Sequence, residues 1–269
     1  MKVEDRKFTN LISPYDVRDY KLASTAVPVV FPETFTLEEV SIKNQGMTGS
    51  CVAHACSSVV EYHHNRQKPN KLVFSTEFIY GYRPLGYYVG EGMYVREALK
   101  TLQKVGDCPL AVLKGNHEYE KAMENVEENL ELYKDAAYSH RISTYVRVYS
   151  VEEIKTALMN YGPVIISMPW HKDYKLIDGV YTHKTDERRG NHCVFIYGWN
   201  EQGWLIQNSW GRGWGRNGMF ILPFDFEWNE AWAITDDIID DDTIIRPAEK
   251  WYIKLFNKII NFIVRIFRK

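Results

Sequence analysis

The sequence is short of several things, and each shortage excludes a class of protein. It has four cysteines, Cys51, Cys56, Cys108 and Cys193, with no CxxC pair among them. That spacing excludes a zinc-ribbon pattern. If one cysteine is reserved for chemistry, the other three cannot all pair with each other, which predicts reduced thiols and a cytoplasmic setting. The first ten residues, MKVEDRKFTN, lack the apolar run of a secretory signal. No charge dominates: the net charge is −2, so there is no global basic field for nucleic acid. No internal repeat and no low-complexity segment stands out. Lys254, Lys258 and Arg265 interrupt the apolar C-terminal segment and argue against a membrane span.

What remains is the composition of an ordinary globular chain. Of its 269 residues, 45% are hydrophobic, with eight tryptophans and eighteen tyrosines. This suffices for one sizeable core or for two lobes about a cleft. Residues 1–39 carry little periodicity and two prolines in VPVVFPETF, and read as an extended N-terminal arm on the surface; a short inhibitory or cleaved segment is the other reading. The first half is mostly helical: a helix from Ser50 to His64, FSTEFIYGYRP, MYVREALKTLQKVG ending at Gly106, and one charged helix over 118–134. The second half turns to strands. RISTYVRVYS alternates, VEEIKTALMNY is a short amphipathic helix, and VIISM, HCVFIYGWN, GWLIQNSW and GMFILPF read as strands between glycine turns. Helices first and strands second predict an α+β protein with two lobes.

The stretch KNQGMTGSCVAHACSS, residues 43–58, is where chemistry is expected. Gly46 and Gly49 make it a loop, and the composition turns helical at Ser50-Cys51. Cys51 therefore sits where a glycine loop enters a helix, and the free N–H groups there favour a thiolate. Such a nucleophile needs a proton partner, a group to orient that partner, and donors for an oxyanion. His192, entering an apolar strand, is the candidate partner. Asn208, at the end of the following strand, is the candidate orienter if the two strands form a hairpin. Gln45, with the Cys51 N–H, is the candidate oxyanion donor. Taken singly, Cys51 reads as a small buried hydrophobe, His192 as a strand-edge histidine, Asn208 as a turn residue and Gly92 as a turn glycine. A metal site from Cys51, His54, Cys56, His63 and His64 is set aside, because a helix spreads the first three around its axis. No metal and no cofactor is expected.

NQGMTGSCVA, NHCVFIYGWN and LIQNSWGRGWGRNGMFIL resemble, in that order, the three blocks of the papain-like cysteine peptidases. EGMYVREALKTLQKVGDCP resembles the glycine loop and helix that line that family's cleft, and SVEEIKTALMNYGPVIISM the opening of its second lobe. The resemblance covers roughly residues 40–235. It implies a helical lobe over about 40–140, a β-barrel-like lobe over about 141–235, and an active-site cleft between them. It implies Cys51 as nucleophile, His192 as acid/base, Asn208 as orienter and Gln45 as oxyanion donor. Trp210 would shield the Asn208–His192 hydrogen bond from water. Gly92, Met93 and Asn191 join Trp210 as expected substrate contacts, with backbone near Gly92 pairing with an extended peptide. The implied substrate is a peptide or protein, hydrolysed through a thioester. Val52 stands where the family has a tryptophan, Thr48 where it has a disulfide-bonded cysteine, and Cys193 where it has a small residue. Two alternatives use the same residues: an acyl or peptidyl transferase, and a catalytically inactive binding module.

After Trp232 the chain becomes acidic, and residues 236–245 read as a solvated linker. Over 246–269, Trp251, Leu255, Ile259, Phe262 and Ile266 lie on one helical arc, with Lys254, Lys258, Arg265 and Arg268 on the remainder. This basic amphipathic segment is expected at a membrane surface, packed on its own domain or a second copy, or as a disordered tail.

Overall fold

The computed structural model describes residues 3–22, 30–83, 90–115, 119–235 and 238–239. In chain order the elements are β1 (Asn10–Leu11), β2 (Phe35–Thr36), α1 (Cys51–Gln67), α2 (Thr76–Gly81), β3 (Met93–Tyr94), α3 (Val95–Lys104), α4 (Tyr119–Glu128), α5 (Leu130–Ala137), β4 (Arg141–Ile142), β5 (Tyr145–Val148), α6 (Val151–Asn160) and β6 (Val164–His171). There follow β7 (Lys175–Ile177), β8 (Val180–Thr182), β9 (Arg188–Asn200), β10 (Gly203–Gln207), β11 (Met219–Leu222), β12 (Glu230–Ile234) and β13 (Ile238–Ile239). Helices dominate the first half and strands the second, so the α+β reading holds. The charged helix expected over 118–134 is two helices. Asn129 leaves helical geometry (φ −127°, ψ 32°) and starts α5 afresh.

One large mixed sheet carries the second half, in the order β5-β12-β6-β9-β10-β11-β8-β7, with β2 also on β9. Among the described residues its path is open, so the lobe is barrel-like without a closed barrel. Both faces are covered, which is why all eight residues of β6 are buried and its sequence shows no polar alternation. The strand period of two still operates. Ile165 on β6 and Cys193, Phe195 and Tyr197 on β9 pack with Val52, Val59 and Leu99 from the helical side. Val164, Ile166, Val194 and Ile196 pack on the opposite face with Ile154 and Leu158 of α6.

Helix α1 runs through the centre of the first core. Every residue from Cys51 to His64 is buried. A helix buried on all sides must use small residues where neighbours approach, and CVAHACSSVV does so. The antiparallel β9–β10 hairpin pairs Phe195 with Gln207, which brings the start of β9 beside the residue after β10. The compact unit ends at Ile239, whose strand pairs with β4 inside the segment expected to be a solvated linker. The expected amphipathic helix over 246–269 lies outside the described residues. Among the described residues, no helix is long and apolar enough to cross a membrane.

Candidate active site

Cys51 is the first residue of α1. Ser50 precedes it at φ −102°, ψ 20° and makes no side-chain cap. The Ser50 hydroxyl is engaged instead with Thr48 Oγ1 at 2.6 Å and His54 Nδ1 at 3.2 Å. The first turn also carries no acidic side chain. Its N–H groups and positive dipole end are therefore left for another anion. Cys51 packs in the same buried cluster as Cys193, the residue that follows His192.

His192 is completely buried. Its Nε2 lies 2.8 Å from Asn208 Oδ1, and the Ser209 N–H donates to that same oxygen at 2.8 Å. A backbone N–H can only donate, so the shared Asn208 atom is an acceptor, and the His192 Nε2 must carry the proton given to it. This fixes the tautomer of the neutral ring: Nδ1 holds the lone pair, and Nδ1 has no hydrogen-bond partner. The Trp210 ring lies 4.8 Å from the imidazole and Trp170 5.4 Å away. Gln45 is also completely buried. Its Nε2 donates to Thr48 O at 2.9 Å, and its Oε1 accepts from Ser209 Oγ at 2.6 Å. Since one amide hydrogen goes to Thr48, a second remains available.

Much of the N-terminal arm lies on the surface, with Tyr15, Val17, Tyr20 and Val30 exposed, but residues 6–13 pass across the candidate site. Phe8 packs edge-on against His192 at 6.0 Å and Trp210 at 5.9 Å, and stacks on Trp170 at 5.8 Å. Thr9 bridges to Asn191. β1 pairs in parallel with β3, Asn10 facing Met93 and Leu11 facing Tyr94. The approach is close enough to require glycine: a Cβ at Gly92, where φ is +110°, would lie 2.2 Å from Thr9 O. One at Gly49 would lie 2.2 Å from Thr9 Oγ1. Asn191 Nδ2 donates to Asn10 O at 3.4 Å. Gly92, Met93, Asn191 and Trp210, the four expected substrate contacts, are thus all engaged by the arm.

Polar anchors hold the arm at both ends. Arg6 donates to Asn44 Oδ1 and to Gly46 O, and its guanidinium sits 5.4 Å over Trp210. Ser13 donates through both N and Oγ to the buried Glu230 carboxylate, at 3.0 and 3.2 Å. Asp19 receives a two-pronged bond from Arg96, at 2.7 and 2.5 Å, with Arg147 3.6 Å away. Sequence patterns did not single out Phe8, Ser13, Asp19 or Glu230. The one available signal was the run of glycines at positions 49, 92 and 190, which mark close backbone approach without naming what approaches.

The covered site is electrically quiet. Burial pushes the Cys51 thiol up to about 11, outweighing the lowering effect of nearby backbone N–H groups. Burial also pulls His192 down to about 4, against the opposing effect of Asn208, and Arg6 of the arm lowers it further. Both shifts favour the uncharged forms, a thiol at Cys51 and a neutral imidazole at His192. All four cysteines are free and buried.

A helical side packed on one face of a large mixed sheet is the architecture of the papain-like cysteine proteases, and sequence comparison agrees. The profile of the papain family cysteine proteases matches residues 33–231. The chain belongs to that family. It is 26% identical over 264 residues to the uncharacterized peptidase C1-like protein L477 of Acanthamoeba polyphaga mimivirus, covering 84% of this chain and 82% of that one. A local match, 38% identical over 97 residues, links it to cathepsin B-like cysteine proteinase 3 of Caenorhabditis elegans, over 34% of this chain and 26% of the relative. Among solved structures, xylellain, a cysteine protease from Xylella fastidiosa, superposes with a TM-score of 0.76 at 20% identity, over 86% of this chain and 96% of its own. Procathepsin B S9 from Trypanosoma congolense gives 0.65 at 16%, over 87% and 88%.

Proposed function

We propose that the protein is a cysteine peptidase that acts through Cys51, His192, Asn208 and Gln45, and that the seated arm keeps it latent. The observation that carries this reading is the His192 ring. Its Nε2–H is committed to Asn208 and its Nδ1 lone pair is unpartnered, and Cys51, the first residue of α1, packs in the same buried cluster as Cys193, the residue after His192. That is the arrangement a proton acceptor for Cys51 requires.

The chemistry follows once the arm has left. Re-entry of water relieves the burial that holds the pair neutral, and the Cys51 proton passes to His192 Nδ1. The sulfur attacks a peptide carbonyl carbon. The Cys51 N–H and the second hydrogen of the Gln45 amide meet the developing oxyanion. The imidazolium gives its proton to the leaving amine, forming the thioester. The neutral ring then takes a proton from water, which attacks the thioester and frees the acid and the thiol. Trp210 and Trp170 keep the Asn208–His192 bond dry. An extended substrate takes the place of Thr9–Leu11 against Gly92 and Met93.

The test is hydrolysis of a peptide library, together with labelling by a thiol-directed epoxide. Both are lost in Cys51→Ala while the variant stays folded; hydrolysis that persists in that variant refutes the assignment. A covered cleft and a raised thiol also suit a non-catalytic binding module. That reading predicts a Cys51 that stays inert to mild alkylation even after the arm is released.

A further inference from the structure

A second cluster of ligating side chains lies outside the cleft. His171 ends β6, His183 follows β8, and Asp186 lies in the loop leading to β9. One ring nitrogen of each histidine and one Asp186 carboxylate oxygen lie within 4.8 Å of one another. They line an open cavity of about 400 Å³ together with Arg188, Asp225 and Glu227. From these residues we propose a binding site for one divalent transition-metal ion of the zinc class, with His171, His183 and Asp186 as its protein ligands.

The protons on the two rings favour this. His183 Nδ1 lies 3.1 Å from Thr185 O, a carbonyl that can only accept, so Nδ1 carries the proton and Nε2 is left with its lone pair. His171 Nδ1 lies 3.4 Å from the Tyr181 hydroxyl, which is itself fixed by the His171 N–H at 2.9 Å. That oxygen can accept from Nδ1 and leave the second Nε2 free. A ligand histidine whose other nitrogen is held by a carbonyl or hydroxyl is the usual pattern at a metal. The loop joining His183 to Asp186 is pinned as well: Asp173 Oδ2 accepts from Lys184 N at 2.9 Å and from Thr185 N at 3.1 Å.

Geometry and charge set the ion class. Two imidazoles and a carboxylate suit zinc, cobalt or nickel better than calcium or magnesium, which prefer oxygen ligands. The cavity wall carries three carboxylates, Asp186, Asp225 and Glu227, against the single guanidinium of Arg188, and Arg188 is 3.7 Å from Glu227. The two rings lie face to face, 3.6 Å apart and 2° from parallel. Coordination requires the half-buried His183 ring to tilt about its Nδ1 contact until the two Nε2 lone pairs converge. The remaining positions on the ion face the cavity and would hold water. His171 pairs with Arg188 on β9, four residues before His192, so the site lies about 13 Å along the strand from the candidate catalytic ring.

The experiment uses the full chain carrying Cys51→Ser, which removes the thiol most able to compete for metal. Zinc chloride is titrated calorimetrically, and cobalt chloride is followed by absorption. Expected are one ion per chain, cobalt d–d bands without sulfur-to-metal charge transfer, and affinity at least tenfold weaker in His183→Ala and in Asp186→Asn. Both substitutions are outside the buried core, and far-ultraviolet circular dichroism checks that each variant is folded. His171→Ala is avoided, because that ring is packed against Phe226 and Tyr181. The proposal is overturned by zinc binding no tighter than millimolar, by unchanged affinity in both variants, or by a cobalt spectrum showing thiolate ligation.

Discussion

Removing the Asp19 carboxylate should unseat the arm. Asp19 and Arg96 form a two-pronged pair with side chains only 6% and 8% exposed, and Arg147 adds a second guanidinium at 3.6 Å. Solvent screening therefore takes little from the interaction. Taking one partner out of a buried pair costs about 3–5 kcal/mol, because the remaining charge is left uncompensated. In Asp19→Ala that cost falls on the seated state, where Arg96 and Arg147 stay enclosed. Each 1.4 kcal/mol is a factor of ten, so the ratio of released to seated arm should rise by roughly a hundred to a few thousand. The assay is the second-order rate of Cys51 alkylation by iodoacetamide, with peptide mapping to separate it from the other three thiols. Arg18→Ala is the control: its pair with Asp16 is on the surface, with Arg18 85% exposed, and should contribute little. A rate for Asp19→Ala within threefold of the parent, in a variant with unchanged urea midpoint, would refute the view that this pair latches the arm.

Four further outcomes follow from the same contacts. The covered state holds His192 at about 4 against an ordinary 6.5, so it is fully stable above about pH 6.5 and loses stability as pH falls toward 4, by up to about 3 kcal/mol; amide exchange at Thr9–Leu11 should accelerate across that window and stay flat from pH 6.5 to 8. Gly49→Ala places a Cβ 2.2 Å from Thr9 Oγ1 and should speed Cys51 alkylation, an effect that Thr9→Gly reverses in the double variant. After arm release, His192→Ala should lower kcat/KM by about 10²–10⁴, and Asn208→Ala by less, because Asn208 orients the ring and does not carry the proton. Leu99→Ala, at a fully buried position in the helical core, should cost about 2–5 kcal/mol in urea denaturation without changing the pH profile of the residual activity.

Sequence patterns exposed the elements more faithfully than their occupancy. Periodicity located α3 and α6 because each buries one face at helical spacing, while α1, buried all round, was legible from its small apolar residues. The hairpin that joins His192 to Asn208 was legible from two apolar runs about a short turn. Asn129 was missed as a break, since a single polar residue does not interrupt a helical stripe by itself. The passage of residues 6–13 across the site was missed for a different reason. Its contacts run through backbone groups, as at Thr9, Asn10 and Ser13, and through charges whose partners are distant in sequence, as with Asp19 and Arg96. Neither leaves a periodic trace. The burial that opposes a thiolate at Cys51 left no trace either: the loop and helix end were visible in the sequence, while the segment packed against Gly49 was not. His171, His183 and Asp186 are separated by a hairpin whose turn is set by Asp178 and Gly179, and only the folded sheet brings them together.

The most direct measurement is peptide hydrolysis by the parent chain, by Asp19→Ala, and by Asp19→Ala combined with Cys51→Ala, run side by side with epoxide labelling of Cys51. The account predicts little activity in the parent, a rise of at least a hundredfold with Asp19→Ala, and none in the double variant, with labelling of Cys51 following the same order. Hydrolysis that survives the loss of Cys51, or a Cys51 that stays unreactive once the arm is free, would contradict it.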